Sequence, residues 1–252
     1  MTPASAFSET YQFKHFKYSS HYWILRFLAE QKCAPLRILD VGTADGYLGA
    51  MLKAQGHYVV GIEREESIAA RARASYDRLY VADIEDFEFP DRDEFDYILF
   101  ADVLEHLRDP VAVFRRSLQA LRKTGEIILS VPNVANFSVR LSLLLGRFDY
   151  TERGILDRTH LRFFTRRTIT NLLNECGCHA LDIAPTPVPI QLVLPMTGHK
   201  VFFPLHELHF LLTKAWSGLM AYQFVLRIKP GRLDPPSSAG VKASRMSVSA
   251  ID

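Results

Sequence analysis

The chain has 252 residues, 30 Lys and Arg against 28 Asp and Glu, and 48% hydrophobic residues, ample for one sizeable core with additions. A net charge of +2 argues against a chain built to neutralise phosphates, so nucleic acid is not an expected partner. Three cysteines, Cys33, Cys176 and Cys178, make neither a disulfide framework nor a four-ligand zinc site. Residues 1–10 contain no apolar signal core, and no run reaches the ~20 apolar residues that span a bilayer. The expectation is a cytoplasmic protein with reduced thiols.

Residues 1–36 read as an N-terminal helical lid. Its segment 11–23 mixes aromatics with Lys14, Lys17 and two histidines, a mixture also suited to single-stranded nucleic acid, and sets Tyr18 or His21 at a pocket. A strand over 37–41 then runs through Asp40 into Gly42-Thr43-Ala44-Asp45-Gly46. A helix follows directly over 47–55, with Leu48, Met51 and Leu52 on one face and Gly56 to end it. Next come a strand over 57–62 and a helix over 65–74, acidic first and carrying Arg71 and Arg73 later, as the helix dipole favours. Short strands over 79–82 and 97–100 follow. Asp109 caps a helix with Pro110 at its first position and a stripe of Val111, Phe114, Leu118 and Leu121. The fifth strand is 126–131. An apolar helix over 136–146, a loop over 154–164 and a Thr165-capped helix over 166–176 lead to the last strands, 179–183 and 221–228. Between those two lies an insertion over 185–218, proline-rich at first, then apolar and helical. Past Pro230 the composition turns to Pro, Ser, Gly and Lys, so 231–252 is expected to be a disordered tail. Strand and helix alternating at this spacing predict an α/β domain over 37–230, a doubly wound parallel sheet covered on both faces.

The turn after the first strand bears on the cofactor. A strand–turn–helix unit with an acid on the strand brings backbone close to an adenosine cofactor. A dinucleotide fingerprint counted from Gly42 needs glycines where Ala44 and Tyr47 stand. It would also set Asp45 against a pyrophosphate at the helix N-terminus, which argues against a nicotinamide oxidoreductase. The run fits D-x-G-x-G-x-G instead, with Ala44 as the one departure. It resembles motif I of class I S-adenosylmethionine (SAM)-dependent methyltransferases, whose cofactor carries a cationic sulfonium and no phosphate. The segment Ala101-Asp102-Val103-Leu104-Glu105-His106-Leu107-Arg108-Asp109-Pro110 resembles the E-H-x-x-D-P segment of small-molecule members, among them the quinone-biosynthesis O-methyltransferases. Ser130-Val131-Pro132-Asn133 and Asp157-Arg158-Thr159-His160-Leu161-Arg162-Phe163-Phe164-Thr165 resemble the same group, so the matches span 37–177. The resemblance implies a Rossmann-like, mostly parallel seven-stranded sheet with the last strand antiparallel. It implies SAM held by Asp40, Gly42, Thr43, Ala44, Gly46, Glu63, Asp83, Ile84, Ala101 and Asp102. Glu63, at a strand end 21 residues past Gly42, suits both ribose hydroxyls, with a surface acid beside Arg64 as the alternative. Asp83 and the N–H of Ile84 would take the adenine, with a simple turn acid as the alternative.

Absences narrow the chemistry. The Asp/Asn-Pro-Pro-aromatic motif of nucleic-acid amino-methyltransferases would follow the fourth strand, where Ala101-Asp102-Val103-Leu104 stands. Residues 132–136 offer no second carboxylate to join Asp102 around a divalent metal, so a metal-independent transfer is expected. In-line displacement depends on alignment and exclusion of water, and an alcohol acceptor also needs a base. His106 and His160 are the candidates. Local packing is the alternative for His106, and a structural role beside Asp157 and Arg162 for His160. His206-Glu207-Leu208-His209 has its histidines three apart and reads as a surface helix, not a zinc site. The apolar stretches 137–148 and 201–219 are expected to be packed core or acceptor-pocket wall, with peripheral membrane contact as the alternative. The leading reading is metal-independent O-methylation of a small or lipid-linked acceptor such as a sugar, by a monomer or homodimer. The 136–165 region resembles members found with bacterial surface-polysaccharide and glycolipid assembly. An RNA or protein methyltransferase and a non-catalytic SAM-binding partner protein are the alternatives.

Overall fold

In the computed structural model, which describes residues 16–30, 35–89, 94–193 and 195–231, seven strands form one sheet. They are β1 (Arg37–Val41), β2 (Tyr58–Glu63), β3 (Arg78–Val81), β4 (Phe95–Ala101), β5 (Leu121–Pro132), β6 (Cys178–Thr186) and β7 (Gln223–Pro230). Their order is β3-β2-β1-β4-β5-β7-β6, parallel except for β7, which runs antiparallel to both β5 and β6. This is the seven-stranded, mostly parallel sheet that the sequence leads one to expect. Residues 1–15 and 31–34 of the expected lid, Cys33 among them, and all but the first residue of the expected tail over 231–252 lie outside the described residues.

Alternation along each strand divides the core into two layers. Leu39, Val41, Ile98, Phe100, Ile127, Leu129 and Val131 point to one face. There they meet Val113 and Phe114 of α4 (Pro110–Ser117) and Ile169, Leu172 and Leu173 of α6 (Arg166–Glu175). Ile38, Tyr97, Leu99 and Ile128 point to the other face, against α1 (Ser20–Ala29), α2 (Tyr47–Ala54) and α3 (Glu66–Ala72). Strand order reverses between β1 and β4. A crevice opens at the carboxyl edge of such a switch point, and the sequence motifs fall at that edge.

One glycine sets the spacing of the second layer. A Cβ on Gly49 of α2 would stand 2.4 Å from Cζ of Tyr76, so the helix lies flat on that ring only without a side chain. Gly49→Ala is expected to destabilise the chain by about 1–3 kcal/mol. In a thermal melt this is a loss of roughly 2–4 °C per kcal/mol for a domain of this size. An unchanged melting temperature would show that the ring moves aside freely.

Three local expectations are corrected. Leu121, read as part of a helical stripe, opens β5: α4 ends at Ser117 and a turn over 118–120 leads into the strand. Leu121 pairs with Phe95 and is buried there, so sheet pairing outweighs the helical period. Pro185, read as the start of the insertion, lies in β6, and β7 runs on to Pro230, past the expected strand end at 228, because antiparallel pairing carries that ladder from Cys178↔Pro230 to Thr186↔Gln223. The apolar stretches 137–148 and 201–219, expected as packed core or acceptor-pocket wall, are mostly exposed rather than packed core, although Val139 is buried. On α5 (Phe137–Leu144) and just beyond it, Leu144 is 82% exposed and Leu145 68%. After α7 (Ile190–Val193), Val201 is 78% exposed, and Leu208 and Leu211 of α8 (Phe203–Ala215) are also exposed. Where α8 does meet the rest of the chain, Phe210 stacks on Tyr18 at 3.7 Å between ring centroids. Glu207 accepts from the Tyr18 hydroxyl (2.7 Å) and from Lys17 (2.8 Å), so within the His-Glu-Leu-His run Glu207 ties α8 to the residues just before α1. α9 (Ser217–Met220) returns the chain to β7.

Candidate active site

The turn after β1 is left-handed at Gly42 (φ 74°), Ala44 (φ 46°) and Gly46 (φ 80°). Gly42 N–H donates to Ile62 O at 2.9 Å, and a Cβ there would come within 2.8 Å of Val103 Cγ2. Glycine alone lets the end of β1 lie against the loop after β4. Ala44 holds its conformation at a cost of roughly 1–2 kcal/mol, and its N–H donates to Glu63 Oε2 (3.1 Å). The other Glu63 oxygen accepts Glu65 N–H (3.1 Å), so this carboxylate stands at the end of β2 facing the turn. Asp45 pairs with Arg71 of α3 at 2.8 Å. Thr43 is buried, and its methyl occupies the space that a side chain on Gly61 would need.

Beneath the turn, Asp40 is 1% exposed. Its Oδ2 accepts the Tyr76 hydroxyl at 2.6 Å, while Oδ1 has no hydrogen-bond partner among the described residues. Burial pushes the Asp40 carboxyl up to about 7 against the opposing pull of the Tyr76 bond, and the charge of Glu63 adds to the rise. Burial and the adjoining carboxylate also raise Tyr76.

At the end of β3, Asp83 Oδ1 accepts Glu85 N–H (2.9 Å), and Ile84 is buried in the core. Glu85 then clamps the start of α4, accepting Arg108 N–H (2.8 Å), Arg108 Nε (2.6 Å) and Asp109 N–H (3.0 Å). Past Ala101 at the end of β4, Asp102 is left-handed (φ 57°). Its carboxylate accepts from the Ser130 hydroxyl and, at 2.9 Å to each oxygen, from Gln223 Nε2. The side chain of Asp102 is therefore joined to β5 and β7.

Glu105 is buried, and its carbonyl accepts Leu161 N–H (2.8 Å) and Arg162 N–H (2.9 Å). Those bonds pin the 157–162 loop to the residues after β4 and bring two distant histidines together. The His106 and His160 rings meet edge to face with centroids 4.8 Å apart. His106 Nδ1 lies 3.2 Å from Thr159 O, and His160 Nδ1 lies 3.1 Å from Ile155 O. A carbonyl only accepts, so in each neutral ring Nδ1 carries the proton and Nε2 the lone pair. Burial, then the facing His106, lowers the pKa of His160 from its ordinary value.

All ten residues expected around the cofactor thus fall on or just past the carboxyl ends of β1 to β4, and the two candidate bases face one another at the same edge. Sequence reasoning missed Tyr76, Ser130, Thr159 and Gln223. Each acts on a site residue 28 to 121 positions away, and no local pattern marks such a contact.

A family model described as a methyltransferase domain matches residues 15–183. A probable S-adenosylmethionine-dependent methyltransferase of Mycobacterium tuberculosis is 26% identical over 148 residues, 58% of this chain and 50% of that protein. A ubiquinone biosynthesis O-methyltransferase of Aromatoleum aromaticum is 30% identical over 155 residues, 58% of this chain and 65% of the relative. The chain spans about half to two thirds of the length of these curated relatives. Among solved structures, an S-adenosylmethionine-dependent methyltransferase of Mesorhizobium loti superposes with a TM-score of 0.56 at 19% identity, covering 83% of this chain and 97% of that one. The magnesium protoporphyrin IX methyltransferase of Synechocystis, solved with bound S-adenosylhomocysteine (SAH), gives 0.56 at 15%, covering 84% and 82%. With its glycine turn, seven-stranded sheet and β2-end acid in the matched span, the chain belongs to the methyltransferase-domain family, enzymes whose cofactor is SAM.

Proposed function

We propose that this chain transfers a methyl group from SAM to a hydroxyl oxygen of a small or lipid-linked acceptor, with a sugar as the favoured class. The observation that carries this reading is the His106–His160 pair, lone pairs on Nε2, at the sheet edge that also bears the glycine turn. SAM supplies the methyl group on a cationic sulfur. The site suits that cation: Asp40, Glu63 and Asp83 line the edge, and the buried Asp40 Oδ1 has a lone pair to offer. Glu63 would take the ribose hydroxyls, Asp83 and the Ile84 N–H the adenine, and the backbone of Gly42, Thr43, Ala44 and Gly46 the amino-acid end. Ala101 and Asp102 would form the wall between cofactor and acceptor.

An oxygen acceptor must lose its proton to become a nucleophile, and the imidazole pair stands where that proton leaves. The ubiquinone-biosynthesis relative is named an O-methyltransferase, which favours oxygen as the methylated atom. The exposed apolar faces of α5 and α8 favour an acceptor carried on a lipid. Asn136, the cap of α5, donates to the carbonyls of Met220 (3.2 Å) and Ala221 (3.0 Å), so α5 and the end of the insertion start from one place beside the site. No helix among the described residues is long and apolar enough to cross a membrane.

The test uses the full chain with methyl-tritiated SAM and three acceptor pools: nucleotide sugars, a lipid-linked saccharide extract and total RNA. The expected product is an alkali-stable methyl ether on a saccharide, richest in the lipid-linked pool. Label in RNA would overturn the reading. Tight SAH binding without transfer to any pool would favour a non-catalytic partner protein.

A further inference from the structure

We propose that the open cleft between the start of α6 and the α8–α9 turn binds a sugar ring and its phosphate, on a part of the acceptor that is not methylated. The cleft has a volume of about 540 Å³, within the ~300–1,000 Å³ of small-molecule sites. Arg166, Trp216, Ser217, Gly218 and Leu219 line it. Trp216 is 64% exposed, and among the described residues no aromatic ring packs on it. The negative face of an indole attracts polarised C–H groups, and one face of a pyranose ring consists of them. Polar groups stand beside that ring. Arg166, the one charged residue of the lining, donates from Nη1 to Ser217 Oγ (3.2 Å) and forms no ion pair among the described residues. Its remaining N–H groups are left for a phosphate, which a guanidinium holds with two parallel bonds. The Ser217 hydroxyl, accepting from Arg166, keeps its own proton for a sugar hydroxyl. Gly218 makes the open wall, where a Cβ would meet no atom within 4 Å.

An indole face, a hydroxyl and one cation on a single cleft match a glycosyl phosphate. A nucleic acid strand would ask for several cations. The cleft also hangs from the sheet edge proposed for methyl transfer. Asn133, buried just past β5, donates from Nδ2 to Ala221 O (2.8 Å) and to Gly218 O (3.4 Å). It bridges Phe164, two residues before Arg166, so both walls of the cleft are fixed from one point. Three residues earlier on the same strand, the Ser130 hydroxyl donates to Asp102. At ~3.3 Å per residue, Asn133 stands roughly 10 Å beyond Ser130. That is too far for the hydroxyl that receives the methyl group, and it suits a neighbouring unit of the same acceptor. The inference rests on the saccharide reading of the acceptor and gives it a second point of contact.

The test titrates the full chain with glucose 1-phosphate and follows tryptophan fluorescence, with glucose and inorganic phosphate as half-probes. The chain has two tryptophans, so the signal missing from Trp216→Phe is that of Trp216. The expected result is a saturable change at Trp216 with glucose 1-phosphate, and affinity about tenfold or more weaker for either half. Arg166→Gln should cost roughly 10–100-fold for glucose 1-phosphate and nothing for glucose, since one charge-assisted contact is lost. Gly218→Leu should fill the cleft and abolish the response at an unchanged melting temperature. No saturable response up to about 10 mM, or an undiminished one in Arg166→Gln, would overturn the site. A dimer in sedimentation that Trp216→Ala dissolves would also overturn it, a second copy then covering the ring. UDP-glucose and a prenyl-diphosphate-linked glucose separate the sources of the phosphate. Tighter binding of the first assigns the cleft to a nucleotide-linked saccharide, and of the second to a lipid-linked one. With a saccharide acceptor, Trp216→Ala should raise KM by about tenfold at unchanged kcat and leave SAH binding as it was. If the chain methylates a saccharide and Trp216 does not respond, the cleft falls and the acceptor reading stands. If Trp216 responds as expected and label enters RNA, the cleft stands as a glycosyl phosphate site and the acceptor reading falls.

Discussion

Replacing Glu63 by alanine is expected to weaken SAH binding by roughly 30-fold to several hundredfold. Two ribose hydroxyls donating to one ionised carboxylate are worth about 2–4 kcal/mol together, since each charge-assisted bond contributes ~1.5–3 kcal/mol and some is recovered by water. Glu63 has a second task, because it holds the N–H groups of Ala44 and Glu65 and thereby the shape of the turn. Glu63→Gln separates the two. Its amide oxygen can keep one of those bonds and accept from one hydroxyl, so a loss of about tenfold is expected, as for one charged hydrogen bond made neutral. Calorimetric titration with SAH reads both variants, and circular dichroism checks that the sheet is intact. Unchanged affinity in Glu63→Ala would remove the ribose from this strand end.

Asp40→Asn is expected to stabilise the ligand-free protein, by an amount that grows as pH rises from about 4 to 7 and is then constant. Burial raises the Asp40 carboxyl from its ordinary 3.8 to about 7 in the folded chain, so the folded state binds the proton more tightly than the unfolded one. The stability carried by the protonated form is complete below about pH 4 and is lost as pH rises to about 7. Above that the ionised carboxylate costs on the order of 4 kcal/mol. An asparagine oxygen still accepts the Tyr76 hydroxyl at this position but never ionises. Melting curves should therefore show the largest gain at pH 8, shrinking steadily toward pH 4. A gain independent of pH, or a loss at pH 8, would contradict the assignment. The same substitution should cost affinity for cationic SAM more than for neutral SAH, because only SAM carries a charge for the carboxylate to meet.

The legible parts of the molecule are those whose causes are local. The strand of 37–41, its glycine turn and the helix after it follow from apolar spacing and from backbone angles that favour glycine, both written within a dozen residues. Glu63 was singled out because it closes a strand of a parallel sheet, and Asp83 because it follows a strand where the resemblance sets an acid; both stand at the carboxyl edge. The count of seven strands and the antiparallel β7 followed the resemblance, and the structure bears both out.

Fold class and cofactor family were thus legible in the sequence itself, through periodicity, a turn unsuited to phosphate and the motifs that carry the resemblance. Tertiary structure alone decided the rest. It set Leu121 in a strand, because pairing with Phe95 outweighs a helical stripe. It left α5 and α8 exposed, because an apolar stretch states only that something suits it and not whether this chain supplies the cover. It joined Tyr76 to Asp40, Gln223 to Asp102, and His160 to His106, contacts 36, 121 and 54 residues apart. Such pairings depend on where the sheet edge brings separate loops, and the free energy that selects them belongs to the whole packed core rather than to any window of sequence.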